Sequence, residues 1–369
     1  MPAAVFIINL DDIQGFLVVK RYPSTFSLNE RLLNLAYYSH HQNPSEEVQL
    51  HQIEGRRIVT FGTKSRPNWL ACFVLSEETD FGPNKEVFAG MGRLMLELAV
   101  RDPSLVDVGD IIRMRRVIPE PTLEQKCAAV FLNPSATLIL EHLEESGLER
   151  SARLAIWLRD EIHAEDVDLA EAVRPLMEAG VVIVELVQKT TEIVFLVADI
   201  FAYRAPPIRA LAYAKANMPE IYEEYSGYVK EFFSPDPPGK GYNPTVAVND
   251  PNSPIIEDRR RIARVISRSL TYAVIQHLRE RPKKASEICE KSALPEKVVN
   301  QSLWELENER VAARLEDGSW ALITDPIVET FVPEFVLPVI AKRVAEKEIG
   351  VELGRRHLQL LLEKWSERR

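Results

Sequence analysis

The chain has 369 residues, 46% of them hydrophobic and 27% charged, which is too long for one compact core and apolar enough for two or three. Its net charge of -10 is unevenly spread: residues 1–120 carry 13 basic and 15 acidic groups, 121–254 carry 11 and 21, and 255–369 carry 21 and 19, so the middle region repels phosphate. The most apolar stretch, Val181 to Tyr203, is broken by Glu185, Lys189, Glu192 and Asp199, which argues against a membrane span. Ala3 to Leu10 runs into Asp11 and Asp12 without a basic flank, unlike a signal peptide. Cys72, Cys127 and Cys289 are far apart among apolar neighbours, as expected of buried thiols in a reducing compartment, and the expected location is the cytoplasm.

Residues Val5 to Pro23 hold two apolar runs, VFIINL and FLVVKRYP, around Asp11-Asp12-Ile13-Gln14-Gly15, a turn sequence that predicts an antiparallel hairpin. Ser27 and Glu30 have capping-box spacing and predict a helix with Leu28, Leu32, Leu35 and Ala36 on one face, as far as His40. Strand patterns follow at Val48 to Ile53, Arg57 to Phe61 and Trp69 to Leu75, the last two joined by the polar loop Gly62 to Asn68. Asn84 is the expected cap of a second helix striped by Val87, Phe88, Met91, Leu94, Met95 and Leu98, which Pro103 ends. Gly90 and Gly92 weaken that helix and are expected to let it lie close on a sheet. The order ββαβββα, with helices expected on one face of a five-stranded sheet, predicts an α+β domain over residues 1–118.

From Ala136 the pattern turns helical. Leu138 to Leu143 and Leu154 to Ile162 mark two short helices, and Leu169, Val173, Leu176 and Met177 a third, which Gly180 caps with a left-handed residue. The branched run Val181 to Val187 then begins two strands joined by a tight turn and reaching Tyr203. Three helices and a hairpin predict a winged helix over 119–233, with a bend near Pro175 and with Ile208 to Phe233 as one additional helix packed back on it. Six prolines between Ser234 and Pro254 mark residues 234–256 as a linker. A second winged helix is predicted over 257–369: one long helix from Ile262 to Leu278, a short one from Ser286 to Lys291, and a third with Val299, Leu303 and Leu306 inward. Asp317-Gly318 then turns a hairpin between Val311–Leu315 and Trp320–Thr324. In the C-terminal helices Leu358, Leu361 and Leu362 serve either an oligomer contact or a core face.

No stretch declares a catalytic chemistry. The seven histidines have no HxxxH or HExxH spacing and the cysteines no CxxC, so neither a metal nor a cofactor site is expected. Pro238-Gly239-Lys240-Gly241-Tyr242 lacks the spacing of a phosphate loop, and the pairs Glu144-Glu145 and Glu223-Glu224 read as solvated helix faces. Two winged helices raise the alternative of a DNA-binding transcription regulator with an N-terminal sensing or dimerisation domain. The third helices oppose it: Glu296, Glu305, Glu307 and Glu309 stand against Lys297 and Arg310 in the second, and Asp168, Glu171 and Glu178 against Arg174 in the first. Protein docking is the expected use, and the arginine-rich helix at 259–268 is the remaining candidate for nucleic acid.

The order ββαβββα, with its first hairpin ending in Lys20-Arg21-Tyr22-Pro23, resembles a longin domain, a module of trafficking and GTPase-regulating proteins. Asp166 to Val187, Asp199 to Pro207, and Lys64-Ser65-Arg66 ahead of the strand Trp69 to Leu75 are similar to segments of the nitrogen permease regulator-like family. Those proteins are longin-bearing subunits of the complex that activates GTP hydrolysis by Rag GTPases. Pro175 and the region after Pro235 depart from the family pattern. The resemblance implies a regulator or scaffold of a small Ras-like GTPase, pairing through its longin sheet with another longin or roadblock subunit. It also makes Arg66 a candidate arginine finger, with Lys64 as an assisting cation: a guanidinium placed on a transferring phosphoryl group neutralises developing charge through several donors at once.

Overall fold

A computed structural model describes residues 2–43, 46–163, 166–187, 191–234, 254–292 and 294–367. Most of the expected linker, with the Pro238–Tyr242 segment, lies outside the described residues. The chain is mixed α+β and divides into two units, Met1–Glu120 with Ala293–Val298, and Pro121–Ser292 with Val299–Arg369.

In the first unit, β1 (Pro2–Asp11) and β2 (Gly15–Tyr22) form the expected hairpin. Asp11 closes it by accepting from the backbone N–H groups of Ile13 (2.9 Å) and Gln14 (2.8 Å), and Gly15 takes the left-handed backbone that the turn requires. Helix α1 (Glu30–His41) starts two residues later than the Ser27 spacing implies, because Asn29 is the cap and its side chain accepts from Leu32 N–H. Strands β3 (Val48–Ile53) and β4 (Arg56–Phe61) turn through Glu54 and Gly55, both at positive φ, and β5 (Trp69–Leu75) completes an antiparallel sheet of order β2-β1-β5-β4-β3.

The helices cover both faces of this sheet, not one. Leu32, Leu33, Ala36 and Tyr37 of α1 pack on Ala4, Phe6, Ile8, Leu70, Cys72 and Val74. Helix α2 (Lys85–Arg101) lies on the opposite face, where Phe88 meets Phe73 with ring centroids 5.3 Å apart. The alternation of strand side chains forces the arrangement, since Val5, Ile7, Val59, Phe61 and Phe73 are as fully buried as their neighbours. Gly92 provides the close approach expected of it: a Cβ there would lie 2.5 Å from Phe61 Cγ. Gly90 serves a different contact, with Val117 and Ile118 of the chain returning after α3 (Val108–Met114), and Ile118 N–H donates to its carbonyl at 3.1 Å.

The second unit is built from two runs with the same element order. The first is α4 (Leu123–Val130), α5 (Pro134–Ser146), β6 (Leu148–Arg150), α6 (Ser151–Ile162), α7 (Leu169–Glu178), β7 (Val182–Val187), β8 (Thr191–Leu196), β9 (Asp199–Ala205), α8 (Ile208–Asn217) and α9 (Pro219–Phe233). The second is α10 (Pro254–Ser267), α11 (Ser269–Glu280), a single bridge residue Lys283, α12 (Ala285–Ser292), α13 (Glu296–Asn308), β10 (Ala312–Arg314), β11 (Trp320–Leu322), β12 (Asp325–Phe331), α14 (Val336–Ala345) and α15 (Val351–Ser366). The small sheets correspond, β6-β8-β7 in one and Lys283-β11-β10 in the other. So do their hydrogen bonds. After left-handed Gly180, Val181 N–H donates to Leu176 O, and Val181 O accepts from Val197 and Ala198; after left-handed Arg310, Val311 N–H donates to Leu306 O, and Val311 O accepts from Ile323 and Thr324.

The expected hairpin to Tyr203 is therefore shorter, and the run Asp199–Ala205 leaves it to pair with β12. The pairing is antiparallel, Asp199 opposite Phe331, Ala202 opposite Val328 and Ala205 opposite Asp325, as a twofold relation between the runs requires. Beyond this ribbon each run hands its last two helices to the other. The expected single helix at 208–233 is two, divided at Met218–Pro219, and it packs with Leu315 and Ala321 of the second run rather than back on the first. Reciprocally, Arg343 of α14 donates to Ser146 O and Leu148 O at 2.7 Å, and His357 of α15 bonds Leu196 O at 2.6 Å. The long helix expected at 262–278 breaks at Ser267–Arg268, while α7 continues through Pro175. Asp317 and Gly318 turn β10 into β11 as the sequence predicts.

Two stability outcomes follow from these contacts. Gly92→Ala overpacks α2 on Phe61 and costs about 1–3 kcal/mol by chemical denaturation. A chain cut once between Ser234 and Pro254 keeps both fragments together on native size-exclusion chromatography, because β9–β12 and the exchanged helices span the cut; elution as separate fragments would contradict the interleaving.

Candidate functional site

Arg66 and Lys64 stand on the loop between β4 and β5, and the loop is fixed by two consecutive turns, Arg66 N–H to Thr63 O at 3.1 Å and Trp69 N–H to Arg66 O at 3.0 Å. From the α1 side, Tyr37 Oη donates to Pro67 O at 3.2 Å and His41 Nε2 lies 3.0 Å from the same oxygen. The other ring nitrogen of His41 faces Tyr37 O at 2.8 Å, so only the doubly protonated ring donates to both carbonyls. Leu10 N–H holds Asn68 O at 2.8 Å. Lys64 is exposed.

Arg66 does not extend freely into solvent. Its guanidinium lies against Glu97 of α2 in a fork-to-fork pair, Nη1 to Oε1 at 3.3 Å and Nη2 to Oε2 at 3.4 Å, with about a third of each side chain exposed (32% and 27%). At these distances and with about a third of each side chain exposed, the pair contributes on the order of 1 kcal/mol, a modest cost for another anion that displaces Glu97. Sequence reasoning missed Glu97. Its only signal is a carboxylate lying off the apolar stripe of α2, and nothing in the sequence brings it to a loop 31 residues earlier.

Next to this loop lies a buried polar knot that the sequence did not announce. Thr60 Oγ1 is shared by His40 Nδ1 at 2.8 Å and His51 Nε2 at 3.0 Å, and Gln49 donates to the carbonyls of His40, Asn43 and Glu46. Burial, reinforced by the neighbouring His41 and His51, lowers the His40 pKa to about 4. A Cβ at Gly62 would sit 2.8 Å from His40 Nε2, which explains glycine at the start of the loop. Among the described residues no group of three or more His, Cys, Asp or Glu side chains is arranged to hold a metal ion.

In the second unit the arginines of α10 and α11 are largely engaged. Arg261 and Arg264 approach Glu309 at 3.7 Å and Arg268 approaches Glu305 at 3.3 Å, while Arg259 stacks over Phe131. Two further clusters flank the β9–β12 ribbon. Arg279 binds Glu124 with both Nη atoms (2.7 and 2.8 Å), Asp325 at 2.8 Å and Pro326 O at 2.6 Å; Arg204, buried, binds Asp258, the carbonyls of Glu309 and Arg310, and Thr324 Oγ1. Glu144 and Asp199 are hydrogen-bonded to each other beside Arg259, and burial raises both carboxyl pKa values. The reading of Glu144 as a solvated helix face is corrected here: strand β9, departing from its hairpin, brings Asp199 over it.

No protein-family model, curated protein or solved structure matches the chain. Among the described residues no helix is long and apolar enough to cross a membrane.

The His40 knot has a pH signature. The folded state refuses a proton that the unfolded chain accepts near pH 6.5, so the stabilisation is complete above that pH, falls by about 1.4 kcal/mol per unit as pH drops towards 4, and is constant below. The expected NMR midpoint of the His40 ring in the intact protein is about 4, and the stability gap between wild type and His40→Gln narrows over the same window. A midpoint near 6.5 would show the ring to be hydrated.

Proposed function

We propose that the protein is a cytoplasmic regulator or scaffold of a small Ras-like GTPase, with a longin-like first unit and two interleaved winged helices in the second. The supporting observation is the sheet order β2-β1-β5-β4-β3 with a helix on each face, joined to a β4–β5 loop that carries Arg66 on a braced scaffold. In each run the three helices that precede the hairpin, with the small sheet, follow the order of a winged helix, and the resemblance to the nitrogen permease regulator-like family points to the same class of partner. A longin or roadblock subunit is the expected companion of the sheet. A finger needs a rigid base and a guanidinium that can be released, and both are present: backbone and side-chain bonds fix the loop, while Glu97 holds Arg66 through a pair that is open to solvent on one side. Lys64 stands on the same loop as a second cation. Arg66 would leave Glu97, enter the nucleotide site of the GTPase and neutralise charge on the transferring phosphoryl group, with ~10³ to 10⁵ in rate at stake.

The transcription-regulator alternative has less support. Arg261, Arg264 and Arg268, the cations it would use, are compensated by Glu305 of α13 and by Glu309 just past its end. A gel-shift titration with steep salt dependence would favour it over the GTPase reading.

The deciding measurement is single-turnover GTP hydrolysis by a GTPase recovered with the protein from native cells. Arg66→Ala and Arg66→Lys should abolish stimulation and leave the complex intact. Glu97→Gln, which frees the guanidinium, should preserve or increase it. Undiminished stimulation by Arg66→Ala would reduce Arg66 to a structural partner of Glu97.

A further inference from the structure

Helix α15 presents two apolar faces, and only one of them is used within the chain. The inner face packs through Gly354, His357, Leu360 and Leu361, all buried. The helix is further fixed along β7 by Arg356, which binds both carboxylate oxygens of Glu185 at 2.6 and 2.8 Å. The outer face carries Val351, Arg355, Leu358, Leu362 and Trp365, all exposed, with Leu362 at 69% and Val351 at 64%. Their spacing is 4-3-4-3, the seam of a coiled coil, over about 21 Å of helix.

The fold does not require this seam. Helix α9 holds the same place in the first run, and its exposed residues are mostly charged, Glu220, Glu223, Lys230 and Glu231, with Tyr228 as its single exposed large apolar side chain among the described residues. Four large apolar side chains on the outside of α15 alone therefore need an explanation outside the chain's own packing.

The seam is complementary to itself in one direction. Two copies of α15 laid antiparallel and centred at the level of residue 360 place Leu358 against the other copy's Leu362, and Arg355 against its Trp365. The second contact sets a guanidinium on an indole face, and Arg355 has no ion-pair partner among the described residues. A parallel arrangement would set Arg355 against Arg355. We propose that α15 is a homodimer interface, pairing antiparallel with a second copy of this chain through Arg355, Leu358, Leu362 and Trp365. The inference is independent of the GTPase reading. One helix face is smaller than a standard permanent interface, so the dimer is expected to be reversible.

Sedimentation of the intact chain tests it. Wild type should show a monomer–dimer equilibrium across the micromolar range, and Leu358→Glu/Leu362→Glu should weaken association at least ~100-fold with unchanged circular dichroism and thermal midpoint. Trp365→Arg, which brings two arginines together, should also weaken it. The exchange Arg355→Trp/Trp365→Arg should restore association to within a few-fold of wild type, because antiparallel pairing sets these two positions against each other. A wild-type chain that remains monomeric at tens of micromolar, or a dimer that the glutamates leave intact, would overturn the proposal.

Discussion

The antiparallel pairing of β9 with β12 is the contact on which the second unit depends. Each strand leaves its own hairpin, crosses to its counterpart and delivers two helices to the other run. Helices α4 and α10 lie together against the ribbon, and the buried groups there are matched across the twofold relation with exchanged charge: Asp199 meets Glu144 of α5 and Arg259 of α10, whereas Asp325 meets Arg279 of α11 and Glu124 of α4. Exchange of identical elements usually joins two chains. Here it joins two halves of one chain, and neither half retains a closed core without the other.

That exchange also shapes the charge distribution. Arg204 follows β9 into the second run and satisfies the carbonyls of Glu309 and Arg310, the corner at which α13 turns towards β10. The acids at that corner are occupied by arginines of α10 and α11. A helix end whose carboxylates already neutralise the nearest cations offers little net attraction to phosphate.

The first unit works on a different principle, a rigid sheet presenting a short loop. Bonds from α1 and from β1 leave the β4–β5 loop little freedom, and Glu97 reaches it from the opposite face of the sheet. The buried His40–Thr60–His51 knot supports the same corner from inside.

Local chemistry in the sequence determined the elements: the Asp11–Gly15 and Asp317-Gly318 turns, the cap at Gly180 and the stripe of α2 each rest on neighbours a few residues apart. The element order suggested helices on one face of the first sheet only; the continuous apolar runs AVFII and LACFVL, where a half-exposed strand would alternate, are the signal for burial on both faces that this expectation passed over. Partners far apart in the chain were decided only by tertiary structure. Nothing near Asp199 distinguishes a third hairpin strand from one that pairs with Phe331 and its neighbours in a distant part of the chain, and periodicity alone cannot say which run receives α8 and α9. The same holds for the candidate site. A lone arginine in a loop could be read from the sequence, but its pairing with Glu97 depends on a helix crossing the sheet above it, and the separation of α15 into a packed face and an open one depends on where β12 carried the chain.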